Sequence, residues 1–341
     1  MNDRELLTFR SRLVRDLAWA ITVPSLIQPV FPPGRPASGD LRPNPARPVT
    51  DGSTDGAIPV VSDPTHWLSD TVIEASWRRV YPRLRELDGD DAPLRRFLAG
   101  TERLRHGLRF ERLLAYWFDL DPEISVVTAD RQVFTDGRTI GQIDFILNWA
   151  GKITQLEVAV KYYLQFGSAT TLDGYLGTDL RDRLDIKLAH MLFHQRTIRL
   201  PKQPEDPAEF SNAASVVSIR GRLYRRFIPG DAGELPKFWW IDARDLRDPA
   251  ARHGVAELCR RWWWTRGERG HWFSPLSGDD ARWRTWDELL PKILAGADPA
   301  APRCEMVIAA AGVNADQSTE REGEVCRGFL VLGLLSGTGK R

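Results

Sequence analysis

Apolar side chains recur at a helical spacing in four parts of the chain. The period predicts an amphipathic helix within residues 1–28, which Pro24 ends, and three later helices over residues 67–87, 104–118 and 179–200. In the helix of residues 104–118 the apolar positions form one stripe, so this helix is expected to pack one face against a core.

Alternating apolar and polar positions predict strands between and after these helices. The strands cover residues 124–134, 139–148, 153–164 and 214–227. The first three form a meander, and the element order is α-β-β-β-α-β. The predicted fold class is therefore α/β, with a central mixed β-sheet flanked by helices. Beyond Lys237 the chain is rich in Trp, and we expect this part to add helices that pack on the sheet.

Composition along the chain predicts four parts. Residues 29–65 are crowded with Pro, Gly, Ser and Asp and have no period, which is typical of a flexible insertion. We expect a helix in residues 1–28 to pack on an α/β domain that spans residues 66–300. Residues 301–341 are expected to form a loosely ordered C-terminal segment.

The overall composition is that of a globular protein without a strong charge bias. The 341 residues are 42% hydrophobic, and 47 basic against 46 acidic side chains give a net charge of +1. This balance excludes a histone-like polycation but leaves room for a local basic groove. The three Cys are widely spaced, so neither a disulfide framework nor a structural zinc site is supported.

The sequence also bears on location and on nucleotide binding. No apolar run is long enough to span a bilayer, and no signal peptide is visible, so we expect a cytoplasmic protein without membrane contact. The Gly-Thr-Gly-Lys run near the end resembles part of a P-loop, but its spacing from Gly333 is wrong. No nucleotide cofactor is therefore expected.

Two carboxylates are predicted to face each other across the second and third strands. Side chains alternate along a strand, so Asp144 lies with the polar positions of its strand and Glu157 with those of the next. A connection centred on Ala150 and Gly151 places Asp144 directly opposite Glu157. Their Cβ atoms would then lie about 4.5–5.5 Å apart.

A divalent cation is the simplest explanation for this pair of carboxylates. Opposed like charges destabilise a sheet unless a proton or a cation lies between them, and Mg²⁺ prefers carboxylates together with water. We therefore predict that Asp144 and Glu157 bind Mg²⁺ or Mn²⁺. Lys161 shares the face of Glu157 and could orient a water or stabilise charge on a phosphate, and Glu111 could lean toward the site from its helix. The alternative is a solvated polar sheet face with a salt bridge between Glu157 and Lys161.

Basic side chains follow the meander at helical spacing. They are Arg183, Lys187, His190 and His194, at intervals of four, three and four. Such a stripe beside the carboxylates could follow a nucleic-acid backbone, although an ordinary exposed helix face has the same pattern. A zinc site at the two His is not favoured, because no third ligand lies nearby. Four Arg within residues 220–226 could also contact phosphates, or could serve as the protective charge of an edge strand.

Short motifs with a consistent order extend from the first helix to the helix after the meander. Their positions are residues 14–19, then Gly107, Phe110, Glu111 and Leu113, then Arg138, Thr139, Gly141, Asp144 and Phe145, then Leu156, Glu157, Ala159, Val160, Lys161, Tyr163 and Leu164, and finally residues 182–185, Lys187, Leu188, His194 and Gln195. Together they resemble domain-of-unknown-function family 1853. The resemblance covers most of the chain outside the Pro-rich insertion and the tail.

This resemblance implies a nuclease-like fold. The family is similar to the PD-(D/E)XK nuclease superfamily, whose restriction-endonuclease-like α-β-β-β-α-β core has a metal-binding Asp, a Glu and a Lys on adjacent strands. It implies roles for Asp144, Glu157 and Lys161. Two positions depart from the pattern. Ala159 occupies the usual position of the lysine, with Lys161 two residues further on, and Gln142 stands where family members often have Glu.

The hypothesis that follows is a Mg²⁺- or Mn²⁺-dependent nuclease that acts on DNA or RNA. Asp144 and Glu157 would bind the metal ion, and Lys161 and Glu111 would complete the catalytic set. The residues expected to contact the nucleic-acid backbone are Arg183, Lys187, His194 and Gln195. The alternative is a catalytically degenerate protein of the same fold that binds nucleic acid or acts as a scaffold.

Overall fold

The computed structural model describes residues 2–27, 67–101, 104–135, 137–169, 171–199, 213–229, 234–295, 298, 301–311 and 323–333. The insertion predicted over residues 29–65 lies outside this description.

The helices of the described residues are α1 (Asp3–Leu6), α2 (Arg12–Thr22), α3 (Asp70–Gly89), α4 (Ala92–Phe97), α5 (His106–Leu120), α6 (Leu184–Phe193), α7 (Pro249–Cys259) and α8 (Trp286–Leu294). Hydroxyl or carboxyl caps that accept first-turn N–H groups begin several of them, including Ser69 for α3 and Thr285 for α8. None of these helices is both long and apolar enough to cross a membrane.

The strands are β1 (Ile124–Thr135), β2 (Arg138–Trp149), β3 (Lys152–Gln165), β4 (Tyr175–Gly177), β5 (Ala214–Arg226), β6 (Phe238–Asp242), β7 (Trp262–Arg266), β8 (Arg303–Ala311) and β9 (Glu324–Leu332). They form one sheet in the order β1-β2-β3-β5-β6-β9-β8-β7, with β4 paired to β3 beside this path. Neighbours from β3 to β9 along this order run parallel, and the pairs at both ends are antiparallel. The predicted α/β class, with a mixed sheet flanked by helices, is confirmed.

The turn between β2 and β3 sets the register of the predicted meander. Ala150 and Gly151 have φ values of 49° and 81°, the left-handed conformation that a two-residue hairpin turn of this type requires. The resulting ladder ends with Phe145 opposite Leu156, which is the register that the symmetric turn predicts.

Different helices cover the two faces of β3. Leu156, Val158 and Val160 pack in the largest core cluster with apolar residues of α2 and α5. Ala159 and Tyr163 lie on the opposite face, where they pack with the apolar residues of α6. Because both faces of β3 are buried, the solvated polar face of the alternative interpretation does not exist.

The N-terminal helix is divided where the sequence predicts a continuous one. α1 ends at Leu6, and Ser11 begins α2 because its hydroxyl accepts the N–H of Val14 at 3.4 Å. The predicted apolar stripe is still buried, since Leu6, Leu17 and Ile21 are all in the core.

The helix predicted over residues 179–200 is shorter in the structure. Asp179 accepts the N–H groups of Arg181 and Asp182 at 3.0 Å each, and this local bonding replaces the first helical turn. α6 begins only at Leu184, and a separate 3₁₀ turn, Gln195–Thr197, follows it.

The C-terminal third differs most from its prediction. The expected helices are present as α7 and α8, which pack on the sheet, but Trp239 and Trp240 lie on β6 and Trp262–Arg266 is β7. This part of the chain therefore also adds four strands to the sheet. The segment 301–341, expected to be loosely ordered, contributes β8 and β9. Both strands are almost wholly buried, since they pair with each other between β6 and β7.

Candidate metal and phosphate site

The candidate site lies where β2 separates from β3. The ladder between them ends at Phe145 and Leu156, and one residue further along each strand stand Asp144 and Glu157. The carboxylate of Asp144 accepts the backbone N–H of Val158 at 2.9 Å, so it satisfies a buried donor that no strand partner reaches among the described residues. The structure thus brings the two predicted carboxylates together.

Glu157 is completely buried, with 0% of its surface exposed. Gln155 donates to Glu157 Oε1 at 3.2 Å, and Arg199 in turn donates to the Gln155 side chain at 3.4 Å. Glu157 Oε2 has no hydrogen-bond partner among the described residues. Burial, followed by the negative charge of Asp144, raises the pKa of Glu157 to about 8. A buried, unpartnered carboxylate oxygen of this kind needs a proton or a cation.

Glu111 on α5 and Lys187 on α6 approach this pair. Burial, then the charges of Asp144 and Asp130, raise the pKa of Glu111 to about 7, and the Lys187 ammonium opposes this shift. Burial, then the neighbouring Lys161 ammonium, lowers the pKa of Lys187, while Asp144 and Glu157 act against this. Burial also raises the pKa of Asp144 itself. The predicted residues Glu111, Asp144, Glu157 and Lys187 therefore form one electrostatic cluster.

Asp130 is an acidic neighbour that was not predicted from the sequence. It lies on β1 between the pairs Ala129–Phe145 and Arg131–Ile143, and therefore opposite Asp144. Its φ of 52° marks an irregularity in the strand, and Gln142 donates to its carboxylate at 3.3 Å. The β1–β2 pairing contains two register shifts, so simple alternation along β1 does not predict that Asp130 lies opposite Asp144.

Lys161 lies close to the cluster, but its ammonium is engaged elsewhere. It forms an ion pair with Asp182, which also accepts the Tyr163 hydroxyl at 3.2 Å. The backbone carbonyl of Asp182 is held by the Gly177 N–H at 2.7 Å, so the acceptor is fixed in its loop. The salt bridge that the alternative interpretation expected between Lys161 and Glu157 is therefore made with Asp182.

The predicted basic stripe follows one flank of α6, but its members differ in their contacts. Arg183 precedes the helix and pairs with Asp185 at 2.6 Å. Gln195 accepts from Lys187 at 3.2 Å and lies 3.2 Å from His190 Nδ1. The rings of His190 and His194 are stacked with centroids 4.8 Å apart. His194 lies beside Gly141 of β2, so the end of this flank borders the meander.

The Arg-rich strand is not an edge strand. β5 lies between β3 and β6, and Arg220 and Arg222 are buried. Arg220 donates to the carbonyl of Val23 at 2.6 Å, and Arg222 donates to that of Trp272 at 2.7 Å. Both guanidinium groups therefore stabilise loops in the core, which rules them out as surface phosphate contacts.

The point where β2 and β3 separate, beyond Phe145 and Leu156, is here called the fork, and its donor set fits a hard cation that keeps several waters. Mg²⁺ is commonly bound through one or two carboxylates, with water and substrate oxygens as its remaining ligands. Asp144 and Glu157 supply two carboxylates that are close enough to interact directly, and Glu157 Oε2 accepts no hydrogen bond of normal geometry among the described residues. Among the described residues, no group of three or more His, Cys, Asp or Glu side chains is arranged to hold a metal ion. A cage made wholly of protein ligands is therefore not formed here.

Comparison with known proteins places the chain in a family. The family model of "Domain of unknown function (DUF1853)" matches residues 15–331, which is nearly the whole chain. The protein belongs to the DUF1853 family. The match includes every strand of the fork and both α5 and α6, so the cluster lies within the DUF1853 domain. No curated protein and no solved structure matches this DUF1853 chain.

Proposed function

We propose that the protein is a metal-dependent nuclease that hydrolyses phosphodiester bonds of DNA or RNA at the fork between β2 and β3. The observation that supports this most is the pairing of Asp144 with Glu157, in which a fully buried carboxylate has one oxygen without a partner among the described residues. Apolar side chains at these two positions would stabilise the fold more than carboxylates do, because each buried charge costs several kcal/mol unless it is compensated. A bound cation compensates both charges at once.

The metal-binding part of the site consists of Asp144 and Glu157. Gln155 fixes Glu157 Oε1, so Oε2 would be the oxygen left to bind a cation, while the Val158 N–H fixes one oxygen of Asp144. A Mg²⁺ or Mn²⁺ ion held there would polarise a phosphate oxygen and lower the pKa of a water.

Glu111 supplies the proton acceptor in this proposal. In hydrolysis a water oxygen forms a bond to phosphorus, and the bond from phosphorus to the leaving sugar oxygen breaks. With a pKa of about 7, Glu111 is partly ionised at neutral pH and can accept the proton that the water loses. The leaving oxygen takes its proton from solvent, so the products are a phosphate monoester and a free hydroxyl.

The flank of α6 supports a nucleic acid as the substrate. This flank of α6 carries Lys187, which lies near the carboxylates, and then His190 and His194, of which His194 lies beside Gly141 of β2. The two His are exposed along this flank, and each phosphate contact by a cation such as Lys187 releases counterions. A polyanionic backbone laid along this flank would bring a phosphodiester to the cluster.

The deciding experiment is calorimetric titration of Mg²⁺ and Mn²⁺ into the wild type and Asp144→Asn, paired with a cleavage screen on DNA and RNA, single and double stranded. We expect binding and cleavage by the wild type and at least tenfold weaker metal binding by Asp144→Asn. Asp119→Asn is the matched control, because Asp119 is an exposed carboxylate on α5. This variant should bind the metal ion like the wild type. Absence of metal binding even with nucleic acid present, or equal cleavage by Asp144→Asn, would exclude a nuclease site at Asp144 and Glu157.

A binding protein without catalysis is the second candidate. Ala159 and Gln142 depart from the nuclease pattern, and Gln142 uses its amide to bond Asp130 rather than offering a carboxylate. For this function we expect salt-sensitive binding of nucleic acid that survives EDTA and survives Glu157→Gln. Cleavage that depends on Mn²⁺ would contradict it.

A further inference from the structure

Two lysines lie near the paired carboxylates, and they differ in their partners. One forms an ion pair with a carboxylate, and the other donates a hydrogen bond to a neutral amide. Lys161 is on β3, four residues past Glu157, and Lys187 is on α6. Their ammonium groups are close enough to affect each other, since the charge of Lys161 lowers the pKa of Lys187. Their hydrogen-bond partners separate their roles.

The charge of Lys161 is already neutralised. Its ammonium pairs with the carboxylate of Asp182, and the Tyr163 hydroxyl donates to the same oxygen. The loop around Asp182 is fixed by Asp179, whose carboxylate accepts two backbone N–H groups at 3.0 Å each. To reach a phosphate, Lys161 would have to leave a partner that is anchored on both sides.

The charge of Lys187 is not neutralised by a close partner. Its described hydrogen bond goes to the neutral amide oxygen of Gln195 at 3.2 Å, and no carboxylate lies within 4 Å of its ammonium among the described residues. A neutral acceptor directs the side chain and leaves further N–H donors free. The ammonium interacts through space with Asp144 and Glu157, and also with Glu111.

The packing of β3 explains why the cation comes from α6. Ala159, on the face of Glu157, lies in the apolar cluster that contains Leu184 and Leu188. A long cationic side chain at position 159 would have to enter this apolar contact. The helix that closes this face supplies Lys187, the residue before Leu188, at the border of the cluster.

We propose that Lys187, positioned by Gln195, is the cation that contacts the reacting phosphate, and that Lys161 with Asp182 is a structural ion pair. This rests on the proposed nuclease function for the reaction itself. The Lys187 ammonium would stabilise the negative charge that develops on the phosphate oxygens. Gln195 is a positioning residue, because its amide contacts Lys187 and not the substrate.

The test compares Lys187→Met with Lys161→Met, which remove the same charge from two neighbouring sites. With Mn²⁺ and a cleaved substrate, we expect Lys187→Met to lower kcat by about 100-fold with KM changed less than about threefold. Lys187→Arg should recover part of the loss. Lys161→Met should lower kcat by less than about tenfold, beside any loss of stability seen on thermal unfolding. A larger loss for Lys161→Met than for Lys187→Met would overturn the proposal.

A second readout does not depend on turnover. Affinity for an oligonucleotide in Ca²⁺ is measured as a function of salt, and a lost phosphate contact lowers the slope of log affinity against log salt by about one. We expect this decrease for Lys187→Met and none for Lys161→Met. A wild type that binds the oligonucleotide but cuts no substrate with Mg²⁺ or Mn²⁺ would refute the nuclease, and the Lys187 contact would still hold if the slopes follow this pattern. Equal slopes in the wild type and Lys187→Met, or no nucleic-acid binding by the wild type, would refute the contact.

Discussion

The carboxylate of Asp144 and the backbone N–H of Val158 are joined by a hydrogen bond of 2.9 Å across the gap between β2 and β3. On this side of β3, the described strand pairing stops at Leu156 and resumes at Tyr163. The Asp144 carboxylate therefore takes the place of the backbone acceptor that a neighbouring strand would supply. The side chain proposed to bind metal thus also satisfies a backbone donor of β3. Function and stability can be separated at this residue only by the choice of substitution.

Asp144→Ala and Asp144→Asn should differ in stability. Asn keeps an oxygen that can accept the Val158 N–H, whereas Ala leaves a buried donor unpaired at a cost of about 1–3 kcal/mol. We expect the free energy of unfolding in urea with EDTA to fall by this amount for Asp144→Ala and by less for Asp144→Asn. Equal values for the two variants would show that the hydrogen bond contributes little. Asp144→Asn is accordingly the variant for metal titration.

Local patterns were enough to predict the paired carboxylates. The register of Asp144 and Glu157 depends on a two-residue turn at Ala150 and Gly151, and a short turn fixes a hairpin without reference to the rest of the fold. The buried stripe of α5 follows from its period in the same way, since Phe110, Leu113 and neighbouring apolar residues are all in the core.

Contacts between distant parts of the chain could not be predicted from these patterns. Alternation gave Lys161 the same face as Glu157, but its partner Asp182 comes from a loop whose shape depends on Asp179. β8 and β9 form near-continuous apolar runs because they are buried on both faces, so their segment shows no alternation. The Trp residues of β6 and β7 were misread for a related reason, since apolar runs alone do not separate strand from helix.

Glu157 should make the metal-free protein less stable as pH rises. The pKa of an unperturbed Glu side chain is 4.5 and that of Glu157 in the fold is about 8, so the folded state holds a proton that the unfolded state has released between these values. The free energy of unfolding therefore decreases from about pH 4.5 to about pH 8, by an amount on the order of 5 kcal/mol. Glu157→Gln cannot titrate and should remove most of this slope.

Urea denaturation in EDTA at pH 5, 6.5 and 8 measures this difference. Because other groups also titrate in the range, the quantity to compare is the wild-type slope minus the slope of Glu157→Gln. Saturating Mg²⁺ should flatten the wild-type curve, since the ion takes the place of the proton. Parallel curves for the two proteins would mean that Glu157 is already ionised without metal.

Gly221→Ala should disrupt the sheet beside the candidate site. Gly221 has a φ of 138° and lies opposite Lys161 in the β3–β5 ladder, where an added Cβ would overlap the Lys161 carbonyl. A clash with backbone cannot be relieved by a rotamer change, so we expect the free energy of unfolding to fall by at least about 3 kcal/mol, or no folded protein.

Gly254→Ala is the control for this prediction. Gly254 is exposed within α7, and an added Cβ there meets no atom within 4 Å. This substitution should stabilise the protein by about 0.5–1 kcal/mol, and a similar effect of both changes on thermal unfolding would contradict the described contact.

Asp130→Asn should lower the pKa of Glu111. Burial raises the pKa of Glu111 to about 7, and Asp144 and Asp130 contribute to this shift through their negative charge, so removal of one charge makes ionisation easier. Asn is the suitable replacement because Asp130 has a φ of 52°, a conformation that Asn tolerates.

The titration of Glu111 can be followed by carbon NMR of the carboxyl group in metal-free protein, assigned with Glu111→Gln. Asp119→Asn removes a carboxylate from the same helix as Glu111, yet Asp119 is not among the charges that act on it, so its effect should be small. Equal shifts in the two variants would mean that Asp130 acts only through the overall charge of the protein, and Asp130 would then not belong to the site.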